Sequence, residues 1–229
     1  MTGRADSPQI IDPGSPGFHT SLHPGLVPKT VHMPDLVLAS GSAIRSTLLT
    51  NAGIPHRVVR PRVDEDAARA ALLAEGATPR DLADALAELK AARVAQREAG
   101  LVLGCDQVLA LGRSCLTKAA TPAEAEAQLT ALAGQTHILL SAAVLYEAGQ
   151  PIWRHVGQAR LTMRPLTQDQ IAAHVARHWL SIRDAVGCYK LEEDGIRLFT
   201  AIEGSYFTIL GLPLLELVDF LIRRGTLAI

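Results

Sequence analysis

The 229-residue sequence is poor in cysteine, in aromatic side chains and in net charge. Its three cysteines, Cys105, Cys115 and Cys188, are odd in number and show no C-x-x-C spacing, which argues against a disulfide framework and fits a reducing cytosol. Set against His137, Cys105 and Cys188 match no zinc-ligand spacing. No run of about 18 apolar residues occurs, so no membrane span is expected. The first residues lack the charged-then-apolar order of a secretory signal. A net charge of −1 gives no general basic field to hold nucleic acid, so a small anionic substrate requires locally placed cations. Neither G-x-x-x-x-G-K-[ST] nor G-x-G-x-x-G is present, which argues against P-loop and Rossmann nucleotide sites.

What is present is rich in alanine and leucine and alternates between strand and helix patterns. Residues 1–33 are broken by Pro13, Gly14, Pro16, Gly17, Pro24, Gly25 and Pro28, and read as a disordered, unpacked extension. Met33 stands just before the first apolar run and would serve as a natural start, leaving 34–229 as the folded domain. Leu36–Ala39 reads as a short buried strand, Ser40-Gly41-Ser42 as a turn, 44–52 as a helix closed by Gly53, and 57–60 as a second strand. A long helix is predicted over 78–98: Thr78 caps it, Pro79 suits its first position, and Leu82, Leu86, Leu89 and Val94 share a face. Residues 101–103 form a continuous apolar strand, and 121–132 a helix. Two longer strands, 138–146 and 153–163, join near Gly149 and imply an antiparallel pair. A helix over 167–178, a strand over 198–202 and a helix over 213–224 complete the order. The pattern predicts an α/β domain with a mixed twisted sheet and flanking helices, its ligand at strand ends or between lobes.

Several short stretches carry chemistry. Ser40-Gly41-Ser42-Ala43-Ile44-Arg45 runs from a strand into a helix start, whose free N–H groups favour an anion; the plainer reading is a capped helix with a surface arginine. Asp106, in Gly104-Cys105-Asp106-Gln107, follows the apolar strand 101–103, the place where α/β enzymes put metal ligands and general bases; alternatively it caps a loop. Lys90 and Lys118 are single lysines that join Arg45 as candidate phosphate-binding cations. Asp64-Glu65-Asp66 is either a solvated helix start or a source of a metal carboxylate.

Taken in order, these pieces resemble a known family. Leu38-Ala39-Ser40-Gly41-Ser42-Ala43-Ile44-Arg45, with Leu48-Leu49 and Gly53-Ile54-Pro55, resembles the L-A-S-x-S-P-R-R-x-x-L-L and G-I-P opening of the Maf family. Lys90-Ala91 is similar to its helical K-A, Gly104-Cys105-Asp106-Gln107-Val108 to G-A-D-T-V or G-S-D-Q-V, and Lys118 to the lysine of G-K-P. Gly134-Gln135-Thr136-His137 resembles G-R-T-H, and Glu203-Gly204-Ser205-Tyr206-Phe207 with Gly211-Leu212-Pro213 resembles E-G-D-Y-Y and G-L-P. The resemblance implies an inosine-triphosphatase-like fold with two lobes around a cleft, often dimeric. It also implies a pyrophosphatase that splits nucleoside triphosphates into monophosphate and pyrophosphate with a divalent metal, magnesium or manganese. In that reading Asp106 is the catalytic acid, as proton acceptor or metal ligand, and Glu65 is a second metal carboxylate. Ser40, Arg45, Lys90 and Lys118 hold the phosphates. The chemistry agrees, since attack at the α-phosphorus needs an activated water, a metal and cations along a polyanionic tail.

The sequence departs from the family pattern at Ala43, Ile44, Ala119, Gln135 and Ser205, which replace a proline, an arginine, a proline, an arginine and an aspartate. Asp106 and the main cations remain, so activity is expected. Base choice is addressed by Ile44, Gln107 and Glu192, the last in Cys188-Tyr189-Lys190-Leu191-Glu192. The pyrimidine-directed branch of the family resembles R-R, D-T and Y-G-I-Q at these places, whereas Gln with Glu is similar to the branch associated with 7-methyl-GTP. A glutamate can accept two N–H donors from a guanine edge, and thymine offers one; Glu192 merely capping a solvent-facing loop is the plainer reading. Rival functions are an inosine- or xanthosine-triphosphate pyrophosphatase, and a regulatory nucleotide-binding protein with weak catalysis that acts on septum formation through a partner.

Overall fold

A computed structural model describes residues 36–229, so the extension expected over 1–33 lies outside the described residues. Strand β1 (Leu36–Ala39) is apolar and buried throughout, as a strand covered on both faces must be. Helix α1 (Ala43–Asn51) returns along the sheet, Gly53 takes the left-handed φ of 67° that ends it, and β2 (His56–Val58) pairs in parallel with β1. Helix α2 (Glu65–Ala74) is capped by Asp64, whose side chain accepts from the Ala67 N–H. Helix α3 (Pro79–Ala95) opens with a reciprocal capping box between Thr78 and Asp81. Strand β3 (Leu101–Leu111) lies parallel to β1 on its other side, and β4 (Ser114–Leu116) folds back on its end.

The second half follows as α4 (Pro122–Leu132), β5 (Thr136–Glu147), β6 (Gln150–Met163), α5 (Gln168–Ile182), a 3-10 turn at Asp194–Leu198, β7 (Phe199–Glu203), α6 (Tyr206–Ile209) and α7 (Leu214–Arg223). The seven-stranded sheet has the order β2-β1-β3-β5-β6-β7, with β4 attached to β3. Pairing is parallel among β1, β2 and β3 and antiparallel elsewhere, so the sheet is mixed, as the sequence predicts.

Three apolar cores cover this sheet. On one face Val37, Ala39, Val102 and Val108 meet α3. On the other, Leu36, Leu38, Leu101 and Leu103 meet α1 and α7. Around the far strands, α4 and α5 pack on Leu139, Ala159 and Leu161. One sheet is continuous through all of them and the described residues group as one compact unit, so the two expected lobes are not separate packing units.

Two local expectations are corrected. Leu89 does not share the buried face of α3 but is 37% exposed, because Ala83, Ala87 and Ala91 turn the helix so that small residues lie on the sheet. The strand expected over 101–103 runs on to Leu111. Its partner β5 supplies an unbroken antiparallel ladder from Leu101↔Glu147 to Ala110↔Ile138, which holds even Gly104-Cys105-Asp106-Gln107 in the sheet. Asp106 is therefore not at a strand end but in mid-strand, opposite Ala142.

Candidate active site

Strand β3 outruns its parallel neighbour. Pairing with β1 stops at Ala39↔Gly104, two residues before Asp106, and the chain of β1 turns away into Ser40-Gly41-Ser42. Side chains alternate along a strand, so Gly104 and Asp106 share the face that α3 covers. A Cβ on Gly104 would stand 2.2 Å from the Ala87 carbonyl oxygen and 2.6 Å from the Ala91 nitrogen, so the backbone of α3 lies directly on the strand. This close approach brings Lys90 onto Asp106: Nζ lies 2.7 Å from Oδ1, and both side chains are only 7% exposed. Lys90 Nζ is also 2.7 Å from Oε2 of Glu65, the first residue of α2, whose side chain is 42% exposed. One ammonium thus faces two carboxylates contributed by different elements. Asp106 Oδ2 is buried and has no hydrogen-bond partner among the described residues. Such an orphaned oxygen costs about 1–3 kcal/mol unless a ligand or cation completes it.

A second group adjoins this one through Cys105. Arg45 is buried, donating from Nε to the Gly211 carbonyl at 2.7 Å and from Nη1 to Ser40 Oγ at 3.0 Å and the Cys105 carbonyl at 3.2 Å. Ser40 Oγ also accepts from the Ser42 N–H at 3.3 Å. Arg45 therefore tethers the 40–42 turn, β3 and the loop before α7, a role that comes in addition to the phosphate contact expected of it. Gly211 has φ 96°, and a Cβ there would come within 3.2 Å of the Arg45 guanidinium, so only glycine leaves room. Ser42 caps α1 by position, without a side-chain hydrogen bond, and the first turn carries no acid, which leaves the helix start suited to an anion.

The other expected residues stand apart from these two groups. Gln107 points to the opposite face of β3 from Asp106, where its Nε2 donates to Ser141 Oγ at 3.0 Å and to the Ile209 and Thr208 carbonyls at 2.9 and 3.2 Å. Its amide nitrogen fixes α6 to the sheet rather than standing free for a base. Ile44 packs on the α1–α7 core. Lys118 is exposed in the loop after β4 and has no ion pair among the described residues. Glu192 is exposed on the turn before the 3-10 segment; its neighbour Glu193 takes Ser181 and Lys190, while Glu192 makes no hydrogen bond with a described residue. The sequence places Gly211 in the Gly211-Leu212-Pro213 motif without showing that its carbonyl receives Arg45, and it gives no sign that the backbone of α3 rests on Gly104.

The departures from the family pattern fit their places. Ser205 is the N-cap of α6, Gln135 is exposed in the turn that leads into β5, and Ala119 is buried in the core packed around the far strands. His137 is wholly buried against Tyr189 and Phe199, with Nε2 2.7 Å from the Tyr189 hydroxyl and Nδ1 without a hydrogen-bond partner among the described residues. Burial pushes its pKa down to about 4. An unfolded histidine titrates near 6.5, so the unfolded chain takes up this proton first as pH falls. The stability that neutral His137 contributes is then complete above pH 6.5 and is lost as pH falls from there towards 4, by on the order of 2–3 kcal/mol. Urea unfolding across this range should show that slope in the native protein and lose it in His137→Gln; an unchanged slope in the variant would assign the effect to other groups.

The chain is similar to several known proteins. Residues 35–224 match the family model described as "Maf-like protein". A relative from Ruegeria pomeroyi, named nucleoside triphosphate pyrophosphatase, is 57% identical over 193 residues, covering 84% of this chain and 97% of its own. One of the same name from Caulobacter vibrioides is 49% identical over 194 residues, covering 85% and 98%. One from Mesorhizobium japonicum, named 7-methyl-GTP pyrophosphatase, is 47% identical over 193 residues, covering 84% and 97%. With the family model spanning nearly all the described residues and the motifs in place on β1, α3 and β3, the chain belongs to the Maf family.

Proposed function

We propose that this protein hydrolyses nucleoside triphosphates to the monophosphate and pyrophosphate at the Glu65–Lys90–Asp106 centre, and prefers a guanine-type base such as 7-methylguanine. The observation that carries the reading is the buried Oδ2 of Asp106, without a partner among the described residues, beside a lysine that holds Oδ1. Lys90 fixes the carboxylate, and Oδ2 remains to accept the proton of the attacking water. Ser40, Arg45 and the open start of α1 face the phosphates with donors and positive potential, and Lys118 adds an unpaired charge from its loop. Three free thiols fit a reducing cytoplasm, and no helix among the described residues is long and apolar enough to cross a membrane.

The donor set suits a divalent metal. Glu65 and Asp106 are hard oxygen ligands of the kind magnesium and manganese take, and no third His, Cys, Asp or Glu gathers with them among the described residues. The remaining positions would fall to water and phosphate oxygens, as magnesium usually requires. Such an ion would stabilise charge on the phosphoryl oxygens and acidify a bound water.

For the base, support comes from Glu192, a carboxylate with no protein partner among the described residues that can accept the paired donors of a guanine edge. Gln107 acts indirectly, by fixing the Thr208–Ile209 backbone. Release of pyrophosphate, followed by a coupled pyrophosphatase assay, tests the reaction; orthophosphate as the first product refutes it. Catalytic efficiency should favour GTP and 7-methyl-GTP over UTP and dTTP by about 1–3 kcal/mol, roughly tenfold to a hundredfold. Glu192→Gln should narrow that gap, and an unchanged ranking means that Glu192 does not meet the base.

A further inference from the structure

A second set of cations lies outside this centre. A cavity of about 520 Å³ is lined by Arg60 and Arg62, from the segment that follows β2, and by Arg93, Arg97 and Glu98, from the end of α3 and just beyond it. Local structure explains the convergence. Arg93 lies in the last turn of α3 and Arg97 four residues on, in the turn that follows it, and Val94 between them is buried in the core and anchors that turn. The Arg60 side chain lies 3.6 Å from where a Cβ on Gly41 would stand, so the cavity opens beside the 40–42 turn.

None of the four arginines has an ion pair with a described residue. The one carboxylate among the described lining residues, Glu98, is already bonded to Arg57. Four exposed arginines therefore line one small cavity in a chain whose net charge is only −1. Their mutual repulsion is relieved by an anion. The lining includes none of Ser40, Glu65, Lys90 and Asp106, so the cavity is not the centre described above.

We propose that this cavity is a second anion site, which takes a compact polyphosphate of the inorganic pyrophosphate class. Guanidinium forks match phosphate oxygens in pairs, which a single carboxylate ligand would use less fully. The volume suits a small molecule. Among the described residues no aromatic ring lines the cavity to stack a base, which favours a ligand without a nucleobase over a nucleoside or single-stranded nucleic acid. The assignment is independent of turnover at Asp106.

Calorimetric titration of the full chain with inorganic pyrophosphate, without divalent metal, tests this. Arg93→Gln combined with Arg97→Gln should weaken one binding component on the order of tenfold to a hundredfold, the scale of lost charged hydrogen bonds. Asp106→Asn should leave that component in place. Because both arginines are exposed, the double variant should keep its melting temperature. In the native protein, the side-chain Nε–H resonances of Arg93 and Arg97 should move on adding pyrophosphate, while that of Arg154, paired with Asp84 and Glu88, should not. Undiminished binding by the double variant, or unmoved Arg93 and Arg97 resonances, overturns the assignment, as does binding that requires a nucleic-acid polymer. Failure of the native protein to cleave triphosphates would count against the proposed reaction and leave this result standing.

Discussion

Asp106→Asn is expected to lower kcat by about a hundredfold or more while the protein stays folded, the scale of losing a positioned general base. The substitution keeps the shape of the side chain, and its amide oxygen can still accept from Lys90 in place of Oδ1. What disappears is the charge and the free acceptor at Oδ2, which becomes an N–H donor where the native protein has a buried, unpartnered acceptor. The same change removes one of the two carboxylates proposed to hold a metal, so the loss is expected whether Oδ2 takes the proton or coordinates the ion. Initial rates of pyrophosphate release should be measured beside the melting temperature. Near-native turnover by a folded Asp106→Asn protein would remove Asp106 from the chemistry.

Gly104→Ala should be severely destabilising, costing about 4 kcal/mol, above the usual range for an overpacked core. The new Cβ would meet the Ala87 carbonyl oxygen at 2.2 Å and the Ala91 nitrogen at 2.6 Å, and neither can swing aside as a side-chain tip would. Helix α3 must lift from the sheet, taking Lys90 away from Asp106. Urea unfolding gives the stability loss, and kcat at a temperature where the variant is folded gives the effect on the site. Ala91→Gly should not rescue the variant, since it removes only the 2.8 Å contact with the Ala91 Cβ. Full rescue would show that the backbone of α3 is not the obstacle.

Much of the framework was legible because its signals are local. Thr78 and Pro79 open α3 as their chemistry dictates, and the two adjacent apolar stretches do form the β5–β6 pair. The extension of β3 was not, because Gly104-Cys105-Asp106-Gln107 looks like a loop until β5 is laid beside it. The burial of Leu89 was misjudged for a related reason: periodicity gives a face, but the sheet beneath decides where that face is centred, and here alanines meet it. At the site, the motif residues pointed to Glu65, Lys90 and Asp106, and the fold brings them together. Their ion pairing, the engagement of Gln107 with α6 and the tethering by Arg45 depend on distances between segments far apart in the chain, which spacing cannot supply.

The bond from Arg45 to the Gly211 carbonyl spans 166 residues of sequence. A ribosome adding about 5–20 residues per second exposes Arg45 on the order of ten seconds or more before Gly211 exists. Through that interval the nascent chain holds a guanidinium one of whose three acceptors has not been made, and the 40–42 turn is not yet tied to the loop before α7. Final closure of the centre is therefore a late event, which waits for the synthesis of Gly211. A chain cut short before the loop that precedes α7 would leave the N-terminal motifs in place yet never complete this tether, and contacts of such long range also make for slow folding.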